Sequence, residues 1–181
     1  VLWNRDLDRH FPGHLFDPLS RWTRIKADDL RQLHLTSLVG TLFDQTPTAP
    51  IQRWVLPLGI YHRKHRHQGY QYCPLCLATP PTYMRKRWRL ACYTECMTHR
   101  IELLDSCPKC DSPVQFHRAV AWPNRGLACS ECGGNFLAAV ATPSHPQAIW
   151  VQTLVDDALS HGWLRWEGTS LHSLAFLQGL R

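Results

Sequence analysis

Seven of the eight cysteines in this chain stand in tight pairs with two residues between partners, and no other feature so limits what the chain can fold into. The pairs are Cys73-Pro-Leu-Cys76, Cys96-Met-Thr-His99, Cys107-Pro-Lys-Cys110 and Cys129-Ser-Glu-Cys132, one of them completed by a histidine. Between the first two pairs lie 19 residues, and between the last two lie 18. Cys73 to Cys107 is a step of 34 and Cys96 to Cys129 a step of 33, so one unit is used twice. Two residues between ligands let a tight turn aim both side chains at one tetrahedral centre, with sulfur about 2.3 Å from zinc. Pro74 and Pro108 preset the turns, and Gly133-Gly134 frees the backbone to leave the last one. The stretches between pairs, "KRWRLACY" and "PVQFHRAV", are predicted to form short strand pairs.

The spacing leaves two pairings open. Sequential pairing puts Cys73, Cys76, Cys96 and His99 around one Zn²⁺ and Cys107, Cys110, Cys129 and Cys132 around a second. Cross-bracing would alternate the pairs; the repeat favours the sequential arrangement. Either way each metal has four protein ligands, and a filled tetrahedron is structural where a catalytic zinc keeps a position open for water. A unit of about 33 residues buries too little core to fold alone, so the two zinc ions supply the missing free energy. Four disulfides would instead suit a small secreted domain. The pair spacing with a histidine points to bound metal in a reducing compartment, the cytoplasm. Cys92 lies outside the spacing and reads as a small buried apolar residue, with a reserve ligand or redox thiol as the sharper alternative.

The predicted fold class is α+β: a small helical N-terminal part, two tandem zinc-ribbon units and a helical C-terminal tail. The segments are 1–43 helical, 44–69 connector, 70–104 first zinc-binding unit, 105–140 second unit and 141–181 tail. Leu15, Phe16, Leu19 and Trp22 recur at helical spacing, with Asp17-Pro18 in the first turn. "KADDLRQLHL" makes a second short helix, so the two could form a helix-turn-helix, although most such pairs are merely packed together. "TPSHP" marks a boundary before "QAIWVQTLVDDALSHG", which sets Val151, Leu154, Val155 and Ala158 on one face and stops at Gly162. "WLRW" reads as a strand, and Thr169 or Ser170 as the cap of a last helix. Its two basic and three acidic residues make the tail a poor phosphate binder; it packs on the body or pairs with a second copy as a homodimer. Starting at Val1 and ending at Arg181, the chain is expected to be a piece of a longer protein.

The formal net charge of +6 invites a nucleic-acid partner. Seven thiolates outweigh two dications, however, and leave about +3, so the reading must rest on local clusters. One is the run His62 to His67, with Arg63, Lys64 and Arg66; the other is Arg85 to Arg89. If the second is a strand, Arg85, Arg87 and Arg89 share one face and Trp88 the other. The bland reading of both is a solvated surface. No phosphate-cradling glycine loop, GxSxG elbow or HExxH is present, and the acidic residues are scattered, so no catalytic residue is assigned and no enzyme is predicted. No apolar run approaches the roughly 18–20 residues of a membrane span.

Beyond the ligands, "QYCPLCLATPPTYMRKRWRLACYTECMTHRIELLDSCPKC" resembles the TniQ family, which includes TnsD proteins. The shared features are Tyr72 to Cys76, Trp88 to Leu90, Cys96 to His99, Leu103-Leu104 and Cys107 to Cys110, with "WVLPLG" and "LRQLHLTSL" upstream. The resemblance spans roughly residues 1–135; the family's usual N-terminal helices and Ser-x-x-Ser-like stretch are not seen. It implies a target-selection adaptor in Tn-seven-type transposition in bacteria, recruiting the AAA+ regulator TnsC to target DNA or to a CRISPR RNA-guided complex. The alternatives are a TnsD-type selector that reads DNA directly and an unrelated zinc-ribbon DNA-binding regulator.

Overall fold

The computed structural model describes residues 6–45, 52–58, 69–115, 120–121 and 127–179. Helix and strand are mixed, and the chain divides into two compact units, Val1–Pro50 with Asp156–Arg181, and Ile51–Val155.

The first unit starts with α1 (Phe16–Thr23) and α2 (Ala27–Gln32), near their expected places. Arg24 ends α1 in the left-handed region at φ 61°, its N–H donating to Ser20 O. Helical spacing does not mean burial here: Trp22 is 84% exposed, and of the four spaced residues only Phe16 is buried. Phe16 instead meets Phe11 and His34, with ring centroids 4.8 and 5.2 Å away. A 3-10 turn, Leu35–Leu38, buries Leu35 and Leu38.

The same unit holds β5 (Trp163–Trp166), β6 (Thr169–His172) and α5 (Ser173–Gly179). Here the expected helix from Thr169 or Ser170 gives way to a hairpin. Glu167 and Gly168 both have positive φ, 47° and 77°, the geometry of a two-residue hairpin turn, and it commits Thr169–His172 to antiparallel pairing with β5. The helix begins only at Ser173. Gln178 Nε2 donates to Asp44 Oδ2 at 3.1 Å, tying this end to the N-terminal segment.

The second unit contains both cysteine-rich stretches. α3 (Pro74–Ala78) opens at Cys73, with proline at its first position. β1 (Glu95–Cys96) pairs with β2 (Ile101–Glu102), and β3 (Val120–Ala121) with β4 (Leu127–Ala128). The pairing Glu95↔Glu102 recurs one repeat later as the bridge Ala128↔Asn135, so each second knuckle is the tip of a hairpin. A 3-10 turn, Phe136–Ala138, packs on α3, and Phe136 sets its ring 5.2 Å from that of fully buried Tyr72. Tyr72 in turn donates its hydroxyl to Ser106 O at 3.2 Å. Among the described residues the Tyr72–Phe136 pair thus links the two repeats.

Segments outside the repeats complete this unit. Trp54 to Leu56 runs beside Arg89 to Ala91, with Leu56 N–H donating to Arg89 O at 2.9 Å and Ala91 N–H to Trp54 O at 2.8 Å. "TPSHP", read as a boundary, lies along β2: Glu102 N–H donates to Thr142 O and Ser144 N–H to Arg100 O. α4 (Pro146–His161) follows and ends at Gly162, φ 76°. Its buried positions are Gln152, Val155, Ala158 and Leu159, whereas Val151 is exposed, so the face is rotated from the one periodicity suggested. The rotated face brings the polar Gln152 inward. Its Oε1 accepts from the N–H groups of Thr94 (2.8 Å) and Glu95 (3.2 Å), which no apolar residue could satisfy.

Candidate metal centres

The four pairs converge in sequence order. Cys73, Cys76, Cys96 and His99 form one cluster and Cys107, Cys110, Cys129 and Cys132 another, the ligand atoms of each lying within 4.8 Å of one another. Backbone geometry in the turns explains the convergence. Cys73 caps α3 and its Sγ accepts the Cys76 N–H at 3.3 Å, which turns both sulfurs to the same side. In the hairpin turns, Arg100 N–H returns to Cys96 O at 2.7 Å and Gly133 N–H to Cys129 O at 2.9 Å. The residue after the second ligand is left-handed in three of the four pairs: Arg100 (φ 53°), Asp111 (57°) and Gly133 (67°). Glycine suits that conformation; Arg100 and Asp111 hold it at some cost, as turns around functional sites do.

Both donor sets fit a tetrahedral zinc ion. Two sulfurs about 2.3 Å from one metal lie about 3.8 Å apart, and a sulfur and an imidazole nitrogen about 3.5 Å apart. The observed separations are Cys76–Cys96 3.6 Å, Cys107–Cys132 3.7 Å and Cys110–Cys129 3.9 Å. His99 presents Nδ1 to Cys73, Cys76 and Cys96 at 3.4, 3.3 and 3.6 Å. A Cβ placed on Gly134 would meet Cys107 Sγ and Cys132 Sγ at 3.1 Å each, so only glycine leaves the second cluster room. Gly134 N–H also donates to Cys132 Sγ at 3.3 Å.

Crowding separates the proton affinities of these thiols. The hydrogen bond with Cys73 draws Cys96 down to about 4, while the same bond and burial push Cys73 above the ordinary thiol range. In the second cluster, hydrogen bonding to the Ser112 side chain lowers Cys110 to about 6, and the bond with Cys110 raises Cys132 to about 12. In each cluster hydrogen bonding between neighbouring groups thus favours one thiolate, the form that ligates metal.

The remaining candidates fare differently. His62 to His67, with Arg63, Lys64 and Arg66, lies outside the described residues. Lys86–Arg89 is a 3-10 turn rather than a strand, so no three-arginine face exists. Arg89 is 1% exposed: its guanidinium donates to Leu56 O at 3.0 Å and stands 4.8 Å over the Tyr70 ring, which makes it part of the core. Trp88 is also buried, at 1%. Arg85 and Arg87 are half-buried, over the rings of Trp88 and Tyr93 respectively. Two supporting residues went unnoticed in the sequence. Gln152 and Glu95, whose carboxylate accepts from the Ser144 hydroxyl, hold β1 behind Cys96. Tyr72 gave a signal in its place beside Cys73, but not of its tie to the second repeat.

Two four-donor Cys/His clusters, each able to hold a metal and each fed by two knuckles, define a tandem zinc-ribbon-like protein. The TniQ family model matches residues 2–103, which includes the first cluster and stops short of the second. With more than half its length matched, the chain belongs to the TniQ family, a transposition-associated family concerned with target selection. No curated protein matches it significantly. Among the described residues no helix is long and apolar enough to cross a membrane.

Proposed function

We propose that this chain is a zinc-stabilised adaptor for target selection in a Tn-seven-like transposition system. It links a target site, either DNA or a CRISPR RNA-guided complex, to the AAA+ regulator, and performs no chemistry of its own. The observation that carries this reading is the closure of both clusters within a chain of the TniQ family: each offers four protein donors, and a filled tetrahedron has no position for a reacting water. Zinc bound at Cys73, Cys76, Cys96 and His99, and at Cys107, Cys110, Cys129 and Cys132, would supply folding free energy and nothing else.

Partner contact falls to Arg63, Lys64 and Arg66 with Arg85 and Arg87. The last two are braced over Trp88 and Tyr93, so their side chains are partly ordered before binding. The test is co-purification of the chain with its cognate AAA+ regulator, with and without target DNA. Capture of the regulator, loss of capture in an Arg85→Ala/Arg87→Ala variant of normal zinc content, and no strand cleavage with Mg²⁺ are the expected results. Divalent-dependent nicking by a clean preparation would overturn the adaptor reading. Sequence-specific gel shifts without regulator capture would replace it with the direct DNA selector.

A further inference from the structure

The two clusters differ in cover and in chemistry. Cys73, Cys76 and Cys96 are all buried, and the fourth donor of that cluster is an imidazole, which forms no disulfide. In the second cluster Cys107 and Cys129 are buried, Cys132 is half-buried and Cys110 is exposed. Its four donors are all sulfur, so four thiolates around one dication leave a formal charge of about −2 against about −1 at the first, with correspondingly greater electron density on sulfur. Partner sulfurs stand ready, with Cys129 Sγ 3.9 Å from Cys110 Sγ and Cys132 Sγ 3.7 Å from Cys107 Sγ.

We propose that Cys110 is a modification site for peroxide-class oxidants, through which the second cluster loses its metal while the first keeps its own. The inference rests on the two-zinc reading above. The Cys110 thiolate attacks one oxygen of hydrogen peroxide, the O–O bond breaks and hydroxide leaves, giving the sulfenic acid. A second thiolate of the cluster then attacks that sulfur and expels another hydroxide, forming a disulfide. Two thiolates are oxidised and one peroxide is reduced to two hydroxides. A cluster left with two donors no longer holds a dication. The effect reaches beyond the cluster, because the chain leaving Cys132 leads into Phe136, which packs on Tyr72 beside Cys73. Oxidation loosens that aromatic joint without touching the first centre's ligands.

The experiment uses the full chain as purified. Zinc is measured first, then the protein is titrated with hydrogen peroxide while a colorimetric chelator follows release. At one equivalent released, the remaining thiols are alkylated under denaturing conditions and mapped by mass spectrometry. The expected result is a first zinc released about tenfold faster than the second, with disulfide confined to Cys107, Cys110, Cys129 and Cys132. Cys73, Cys76 and Cys96 should be alkylated in full. Cys110→His, which keeps a donor but cannot form a sulfenic acid, should slow the first phase about tenfold. Should that variant fail to take up its second zinc, the wild-type map alone decides. A starting content below two overturns the two-zinc reading and the proposal with it. A starting content of two, followed by simultaneous loss of both ions, by oxidation of the first cluster first, or by an unchanged rate in a zinc-loaded Cys110→His protein, overturns the proposal alone.

Discussion

Gly134 is the residue whose role is most sharply defined by space. A methyl group there would press on Cys107 Sγ, Cys132 Sγ and the Lys109 side chain at about 3 Å. Overpacking of this kind costs about 1–3 kcal/mol. Gly134→Ala should therefore weaken zinc at the second cluster by about ten- to hundredfold in chelator competition and leave the first unchanged. Cys92 offers a second test. Cys92 is half-buried rather than fully buried, and desolvation pushes its thiol up to about 12 from an ordinary 9.0. With the folded value raised, the stability the neutral thiol contributes is present below pH 9 and lost as pH rises from there toward 12. At pH 8 its alkylation in the zinc-loaded protein should be roughly a thousandfold slower than in the denatured chain, a ratio read directly by mass spectrometry. Labelling at the denatured rate would show that Cys92 is open to solvent. At this scale the clustering of the seven cysteines with His99 was legible in the sequence, because a knuckle is a local device of four residues. Arg89 was not, because its burial is decided by Leu56 and Tyr70, which lie far off in the chain.

At the scale of elements, the first centre depends on α4 through Gln152. Gln152→Ala removes the acceptor of the Thr94 and Glu95 N–H groups; the one at Glu95 is buried, and a buried unsatisfied donor costs about 1–3 kcal/mol. The variant should lower the denaturation midpoint measurably and make zinc at Cys96 and His99 easier to remove. Phe136→Ala should cost about 3–5 kcal/mol, since it empties the joint with Tyr72 between the repeats. If either variant unfolds at the wild-type midpoint, the corresponding packing is not what holds the module. Helices α1, α2 and α4 were readable from periodicity and terminal signals, and β5 from its aromatic run. β6 was misread because "TSLH" has no strong preference of its own; the left-handed pair Glu167-Gly168 decides it. Lys86–Arg89 looked like a strand by composition and became a 3-10 turn, with Trp88 and Arg89 both turned into the core.

For the molecule as a whole, the repeat told in advance that the pairs gather into two four-donor clusters and in which order they group. It did not tell that Thr142–Ser144 and the first turns of α4 belong with the first hairpin, nor that the chain after Val155 clusters with the N-terminal helices. Such returns depend on long-range hydrogen bonds that leave no periodic trace. On the function proposed above, metal rather than core volume holds the described residues between 69 and 142 in this form. Native mass spectrometry of the purified chain, paired with circular dichroism before and after chelation, tests it most directly. The account predicts two zinc ions per chain, loss of the 69–142 fold when both are removed, and its recovery when Zn²⁺ is returned. A chain that carries no zinc, or that keeps its fold and melting midpoint once stripped, would contradict it.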